Sequence, residues 1–285
     1  MINSKTKLLG LIGHPIGHSM SPAMHNLALG QMKMNYLYMA FDVQTQDLGD
    51  MVAGAKALGM PGFNVTIPHK VSIIGHLDQM SREAQLIGAV NTVNLRNDNL
   101  AVGYNTDGAG CVRALGDAGV SVKNKKIFII GAGGAARAIG FQCALDGADL
   151  AITNRQEEAF MAEQLCHDIN EKLDAGAEYI KFTTYNLKNL MANSDIIIHT
   201  TPVGMHPDID SCAVPEEIIP EDKVIMDIVY NPIETKLLRL ARERGCKTVD
   251  GVGMLVNQGA QSLKIWLGID APIETMRQAV IEKLL

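Results

Sequence analysis

The sequence lacks the features of a membrane or secreted protein. No apolar run approaches the roughly 18 residues that cross a bilayer. The segment that follows the first seven residues has only five apolar or small residues, so we expect no signal peptide. The five cysteines are scattered, odd in number and without a Cys-x-x-Cys spacing. This pattern favours reduced thiols in a cytoplasmic protein.

An excess of positive charge is also missing. The chain has 25 lysines and arginines against 31 aspartates and glutamates, a formal net charge of -6. Such a balance argues against partners such as nucleic acid or an anionic membrane. His14 and His18 are four residues apart, but the intervening Pro15 and Gly17 prevent the helix that would align them, so we predict no metal site.

What the chain does have is alternating strand and helix patterns. In the first hundred residues, strands are predicted at 8–12, 36–43 and 62–67, and helices at 21–30, 47–58 and 81–86. Ser21 is the expected N-cap of the first helix, with Pro22 at its first position. A hairpin is predicted from 90–95 and 101–104, turning about Asn97, Asp98 and Asn99. This alternation predicts an open α/β sheet.

A second series of strand and helix patterns follows. Helices are predicted at 108–118, from the turn near 136 to 146, and at 157–173. Strands are predicted at 125–130, 150–153, 180–183, 196–199 and 224–228. Repeated βαβ units of this kind predict a doubly wound domain, and a length of 285 residues is consistent with two domains in all.

The segment Gly131-Ala132-Gly133-Gly134-Ala135-Ala136 follows a predicted strand and opens a predicted helix. Gly131 permits a tight turn, and Gly133 lets backbone amides approach a pyrophosphate. The helix start then presents free N–H groups and the positive end of its dipole to the phosphates. We therefore predict a bound dinucleotide, against the alternative of a tight turn without a ligand.

The next strand is expected to end near the adenosine ribose of that dinucleotide. Arg155 is suited to stack on adenine and to pair with the 2′-phosphate of NADP. Glu157 is instead suited to accept a hydrogen bond from a ribose hydroxyl and would repel a phosphate. These residues slightly favour NADP as the cofactor and leave NAD open.

Lys70 lies two residues beyond Pro68, which ends a predicted strand, and Asp107 precedes a predicted helix. Taken singly, each has an ordinary explanation, as a solvated lysine and a helix cap. Thr66, Asn91 and Asn105 also lie at strand ends, where ligands of open α/β sheets bind. Hydride addition to a ketone creates an alkoxide that needs a proton, and a lysine kept charged by a carboxylate can supply it.

Further motifs occur in a characteristic order and spacing, and together they resemble the shikimate dehydrogenase family over nearly the whole chain. They are Gly17-His18-Ser19-Met20-Ser21-Pro22, Asn64-Val65-Thr66-Ile67-Pro68-His69-Lys70, Gly88-Ala89-Val90-Asn91-Thr92, Gly103-Tyr104-Asn105-Thr106-Asp107-Gly108, the glycine turn, Asn154-Arg155, Thr201-Pro202-Val203-Gly204-Met205, Asp227-Ile228-Val229-Tyr230-Asn231-Pro232 and Asp250-Gly251-Val252-Gly253-Met254-Leu255-Val256-Asn257-Gln258.

The resemblance implies NAD(P)H-dependent reduction of 3-dehydroshikimate to shikimate, in the pathway to chorismate and the aromatic amino acids. It implies an N-terminal open α/β substrate domain from 1–107 plus 254–285, a Rossmann domain from 108–253 and a cleft between them. The implied catalytic pair is Lys70 and Asp107. The implied substrate contacts are Ser19, Ser21, Thr66, Asn91, Tyr230 and Gln258. The implied cofactor contacts are Gly131, Ala132, Gly133, Gly134, Ala135, Asn154, Arg155, Thr201, Ile228 and Gly251.

Some positions depart from the commonest family pattern. Gln156 and the segment 157–159 replace the threonine and second basic residue of NADP-preferring members, and His199 stands where asparagine is common. An acidic residue here resembles the quinate/shikimate dehydrogenase subgroup, which uses NAD, whereas the Ser19–Ser21 pair and Thr66 resemble the shikimate-specific side. The motifs give less support to a non-catalytic dinucleotide-sensing protein or a folate-type methylene dehydrogenase. A homodimer is a possible assembly.

Overall fold

The computed structural model describes residues 2–285, which form two compact units. The first unit extends up to Thr106 and adds residues 256–283 and 285. The second unit consists of residues 107–255 and 284. Within residues 2–285, every helix is too short or too polar to span a bilayer.

The first unit is built on a six-stranded sheet. Its strands are β1 (Lys7–Gly13), β2 (Tyr36–Asp42), β3 (Gly62–Val65), β4 (Gln79–Met80), β5 (Thr92–Leu95) and β6 (Ala101–Tyr104). Their order across the sheet is β2-β1-β3-β5-β6-β4. β1 runs parallel to β2 and β3, whereas β5 is antiparallel to both β3 and β6. The predicted hairpin is thereby confirmed, and Asn99 in its turn has a φ of 66°.

Helices cover this sheet and close its core. They are α1 (Ser21–Gln31), α2 (Leu48–Ala57), α3 (Arg82–Ile87), α9 (Gly251–Leu267), which enters the first unit from residue 256 onward, and α10 (Ile273–Leu284). One core cluster joins Ile12, Phe63 and Val93 of the sheet to Leu48 and Val52 of α2. β3 has no exposed residue because it lies in the middle of the sheet, between β1 and β5.

The second unit is a doubly wound parallel sheet. Its strands are β7 (Lys126–Ile130), β8 (Asp149–Thr153), β9 (Ala177–Tyr179), β10 (Ile196–His199), β11 (Val224–Asp227) and β12 (Lys247–Val249). The order β12-β11-β10-β7-β8-β9 reverses its direction between β7 and β10. Such a reversal is the switch point beside which ligands of these sheets bind. The α/β class predicted from the sequence is confirmed.

The helices of the second unit are α4 (Asp107–Asp117), α5 (Gly134–Leu145), α6 (Ala159–Leu173), α7 (Thr184–Asn193) and α8 (Lys236–Glu243). α4 and α5 approach each other closely at Gly108. A Cβ added to Gly108 would lie 2.4 Å from the Ala138 carbonyl oxygen and 2.7 Å from the Gln142 Cβ. A side chain at position 108 would therefore push the two helices apart.

Two local predictions were wrong. Ser21 is the first residue of α1 rather than its N-cap, which is Met20, and within residues 2–285 the Met20 side chain makes no capping hydrogen bond. The strand predicted at 180–183 is instead β9 at Ala177–Tyr179, because Thr183 caps α7 by accepting a hydrogen bond from the Asn186 backbone. The end of the apolar segment that we predicted as a strand therefore forms the capped start of α7.

Candidate active site

In the first unit, the chain after β3 leads to Lys70 through a turn. The Thr66 backbone N–H donates to the Ile12 carbonyl at 2.9 Å, and the Lys70 carbonyl accepts from the Val90 N–H at 2.8 Å. These bonds tie the segment to the end of β1 and to the loop that precedes Asn91. Lys70 is half-buried at this position.

Asn91 is held rigidly at the neighbouring strand end. Its side-chain oxygen accepts from the Thr106 N–H at 2.8 Å, and its amide nitrogen donates to the Thr106 hydroxyl at 2.9 Å. The same nitrogen lies 3.5 Å from Oε1 of Gln258 on α9. Two of the predicted substrate contacts, Asn91 and Gln258, are therefore adjacent although 167 residues separate them in the chain.

A buried polar network lies beside Asn91 and has only a weak signature in the sequence. The Tyr38 hydroxyl donates to Oδ1 of Asn64 at 2.7 Å. The Asn64 amide nitrogen donates to the hydroxyls of Thr92 and Ser262, each at 2.9 Å. The Thr92 hydroxyl donates in turn to Oδ1 of Asn91 at 3.0 Å. Only the polar character of Asn64 and Thr92 within apolar strands signalled the network, and nothing in the sequence pairs either with Ser262.

The two predicted serines lie together at the start of α1. The Ser21 backbone N–H donates to the Ser19 hydroxyl at 3.2 Å, and Ser21 is buried. Burial raises the pKa of Tyr38 and outweighs a hydrogen bond from the Ser21 side chain. Ser21 thus also contacts the polar network that reaches Asn91.

Asp107 is the first residue of α4 and is only 6% exposed. Two residues earlier, the Asn105 side chain donates to the Ala89 carbonyl at 3.1 Å. Asp107 belongs to the second unit and Lys70 to the first, and their pairing stays a prediction.

In the second unit, the glycine turn joins β7 to α5, as predicted. Gly131 has a φ of 114°, and a Cβ added to it would lie 2.5 Å from the Thr200 hydroxyl and 2.9 Å from Cγ2 of Thr201. Only glycine fits this backbone and this spacing. Within residues 2–285, a Cβ at Gly133 or Gly134 would meet nothing within 4 Å, and the N-cap residue of α5, Gly133, has no side chain to cap the helix. The helix start is open to a ligand.

A cavity of about 330 Å³ lies against this turn. Six of the predicted cofactor residues line it: Gly131, Ala132, Gly133, Asn154, Arg155 and Thr201. The other four, Gly134, Ala135, Ile228 and Gly251, are not among its lining residues. Gly251 instead packs on Ile228, since a Cβ at position 251 would lie 2.4 Å from the Ile228 carbonyl oxygen.

Arg155 and Glu158 form an ion pair on the wall of this cavity. Hydrogen bonding to Arg155 lowers the pKa of Glu158 and raises that of the arginine. Asn154 is buried, and its side chain accepts from the Arg155 N–H at 3.0 Å and donates to the Glu158 carbonyl at 3.2 Å. The sequence pattern indicated Glu157 at this point, whereas the structure places Glu158 beside the arginine.

A glycine turn at the switch point of a doubly wound parallel sheet, with a cavity against it, is characteristic of the class of Rossmann-type dinucleotide-binding proteins. Comparison with known proteins specifies the family. Residues 11–93 match the shikimate dehydrogenase substrate binding domain, and residues 251–281 match the shikimate 5′-dehydrogenase C-terminal domain. The chain belongs to the shikimate dehydrogenase family.

Individual relatives match over the full length. The shikimate dehydrogenase (NADP(+)) of Methanocaldococcus jannaschii is 49% identical over 286 residues, covering 100% of this chain and 99% of the relative. A crystal structure of a shikimate dehydrogenase in complex with NADP+ has a TM-score of 0.92 at 46% identity and covers 100% of this chain and 98% of its own. The Listeria monocytogenes shikimate 5-dehydrogenase, in complex with shikimate and NAD, has a TM-score of 0.93 at 40% identity, with 97% of each chain covered.

Proposed function

We propose that the protein is a shikimate dehydrogenase that reversibly reduces 3-dehydroshikimate to shikimate with NADPH. The observation that carries this proposal is the 49% identity to a shikimate dehydrogenase (NADP(+)) over the whole chain. Six of the predicted cofactor residues line one cavity at the glycine turn, which also supports the proposal.

The proposed reaction assigns proton transfer to Lys70. Bound NADPH supplies a hydride to the ketone carbon, and the oxygen of that carbonyl then needs a proton. The Lys70 ammonium donates this proton, and the Asp107 carboxylate stabilises the ammonium form. In the reverse direction, the neutral amine accepts the hydroxyl proton while the hydride leaves to the oxidised cofactor.

The proposed substrate site consists of fixed hydrogen-bonding groups. Ser19 and Ser21 bind the substrate carboxylate, and Thr66, Asn91, Tyr230 and Gln258 bind the carboxylate or the ring hydroxyls. Asn91 donates to the Thr106 hydroxyl and accepts from the Thr92 hydroxyl, and these bonds support this role, because a side chain fixed before binding loses little entropy when the ligand arrives. Tyrosine is protonated at neutral pH and burial raises the pKa of Tyr230 further, so its phenol can donate a hydrogen bond.

The proposed cofactor site holds the pyrophosphate at the glycine turn and the adenosine ribose beside Asn154 and Arg155. The open space beside Gly133 and Gly134 fits the close approach of a phosphate to the start of α5. Thr201, Ile228 and Gly251 complete the proposed contacts. The first unit is then the substrate-binding domain and the second the NAD(P)-binding domain, a division of roles that stays a proposal.

One observation favours a second candidate, a quinate/shikimate dehydrogenase that uses NAD. Glu158 adds a negative charge to the cavity wall and already occupies Arg155, the group expected to bind a 2′-phosphate. A cytoplasmic location, a homodimeric assembly and the absence of nucleic-acid or membrane partners stay predictions from the sequence.

Steady-state rates with shikimate and quinate, each with NADP+ and NAD+, test both candidates. We expect the highest kcat/KM with shikimate and NADP+, and a preference for NAD+ would favour the second candidate. The Lys70→Ala variant is expected to lose nearly all turnover while it still binds shikimate in calorimetry. Lys5→Ala, which removes an exposed lysine of the same unit, is the matched control. Near-normal turnover of Lys70→Ala would refute the assigned role.

A further inference from the structure

A buried histidine lies directly behind the dinucleotide cavity. His199 is the last residue of β10, and Asp227, the last residue of β11, is its register neighbour. Both side chains are fully buried, and Nδ1 of His199 lies 2.9 Å from Oδ1 of Asp227. Nε2 of His199 contacts the hydroxyl of Thr201, which lines the cavity. The three side chains form a continuous chain of hydrogen bonds.

Further contacts set the direction of each bond in this chain. The Val229 N–H donates to Oδ1 of Asp227 at 3.0 Å, and the Thr235 hydroxyl donates to Oδ2 at 2.7 Å, which fixes the carboxylate. A carboxylate accepts hydrogen bonds, so Nδ1 of His199 carries a proton, and in the neutral imidazole Nε2 is then the acceptor. The Thr201 hydroxyl therefore donates to His199, and it accepts from the Val203 N–H at 3.3 Å.

The backbone beside Thr201 is fixed against the glycine turn. The N–H and the hydroxyl of Thr200 both bond the Ile130 carbonyl, at 2.9 Å and 2.8 Å. Cγ2 of Thr201 lies 2.9 Å from the place where a Cβ on Gly131 would stand. With its backbone held in this way, the remaining freedom of Thr201 is the rotation of its side chain, and His199 determines that rotation.

We propose that His199 is a positioning residue for the dinucleotide. Oriented by Asp227, it holds the Thr201 hydroxyl in one rotamer at the cavity wall, with the remaining oxygen lone pair available to accept from the ligand. The proposal rests on the proposed function for the identity of that ligand. It assigns a role to a histidine that the reaction itself does not use.

Two substitutions at position 199 test the two hydrogen bonds of the imidazole ring separately. An asparagine amide reaches to about the place of Nδ1, so His199→Asn keeps the partner of Asp227 and loses the bond to Thr201. A glutamine amide reaches to about the place of Nε2, so His199→Gln keeps the bond to Thr201. We expect His199→Asn to weaken NADP+ binding about three- to tenfold, the usual range for one lost hydrogen bond, and His199→Gln to restore it.

The measurements are the Kd for NADP+ by calorimetry on the full chain, the kinetic constants and the thermal midpoint. A positioning role predicts a higher KM for the cofactor, with an unchanged KM for shikimate and an unchanged kcat at saturation. It also predicts that Thr201→Val weakens binding by a similar factor and that adding Thr201→Val to His199→Asn weakens it no further.

Two outcomes would overturn the inference. One is a His199→Asn variant whose thermal midpoint falls while its Kd for NADP+ stays at the wild-type value. The other is a double variant in which the two losses multiply. Failure of the proposed function is distinguishable, because the wild-type protein would then bind neither NADP+ nor NAD+.

Discussion

In the proposed cofactor site, Glu158 pairs with Arg155 at the point where NADP and NAD differ. Because the pair is exposed, its net stabilisation is small, and a 2′-phosphate bound at the proposed site would compete with the Glu158 carboxylate for the arginine. We expect Glu158→Gln to lower the KM for NADP+ about two- to fivefold and to leave the KM for NAD+ unchanged or higher. Steady-state kinetics with both cofactors at fixed shikimate measure the shift.

Glu157→Gln is the matched control, because it removes the same charge from the preceding residue, which is not part of the cavity wall. We expect a smaller change in cofactor preference from this control. Equal shifts in the two variants would show that the overall negative charge of the segment, rather than the contact between Glu158 and Arg155, determines the cofactor preference.

His25 makes the stability of the protein sensitive to acid. The ring is fully buried on α1, stacks on Tyr38 at 4.2 Å and has, among residues 2–285, no hydrogen-bond partner for either nitrogen. Burial lowers the pKa of His25 to about 3 from 6.5. Below pH 6.5 the imidazole of His25 binds a proton in the unfolded chain but stays neutral in the native state. This residue's contribution to stability is therefore lost as the pH falls from 6.5 towards 3.

The expected slope from His25 is about 1.4 kcal/mol of unfolding free energy per pH unit in that window. Urea unfolding of wild type and His25→Phe at about pH 6 and about pH 5 measures it, and the variant is expected to lose less stability over this step. Leu29→Val, a buried change on the same helix that titrates nothing, is the control. Parallel stability curves for wild type and His25→Phe would contradict the prediction.

At the scale of elements, apolar patterns located most strands, because buried parallel strands such as β7 and β10 read as continuous apolar runs. They misplaced β9, where the Thr183 cap of α7 overrides the apolar run. The site was less accessible to sequence reasoning. The motifs predicted Asn91 and Gln258 as substrate contacts, and the structure places the two side chains next to each other. The link from Asn64 to Ser262 spans 198 residues and depends on the tertiary fold.

The glycines of α4 test how closely α4 and α5 must approach. Gly108→Ala would place a Cβ 2.4 Å from the Ala138 carbonyl oxygen, an overpacking expected to cost about 1–3 kcal/mol. Gly116 lies on the same helix with open space around it, so Gly116→Ala is expected to stabilise by about 0.5–1 kcal/mol. Denaturant unfolding of both variants measures the difference, and destabilisation by both would contradict the steric account.

At the scale of the whole molecule, the two units differ in chain continuity. The second is nearly one continuous stretch, from Asp107 to Leu255, whereas the first needs the chain to return after residue 255. The returning segment supplies Ser262 to the buried Asn64 amide and the Trp266 indole N–H to the Val93 carbonyl at 2.9 Å. Removing it would take these partners from buried polar groups and uncover an apolar sheet face.

We therefore expect a fragment of residues 107–255 to fold alone and to bind NADP+, because it keeps its whole sheet and the glycine turn. A fragment of residues 1–106 is expected to stay unfolded until a peptide of residues 256–285 is added. Circular dichroism and amide exchange follow folding, and calorimetry follows NADP+ binding. Repeating the complementation with a Trp266→Ala peptide is the control, since that peptide cannot bond Val93 and packs poorly beside Gly62, and it is expected to restore less structure. Independent folding of residues 1–106 would show that the first hundred residues carry a sufficient core by themselves.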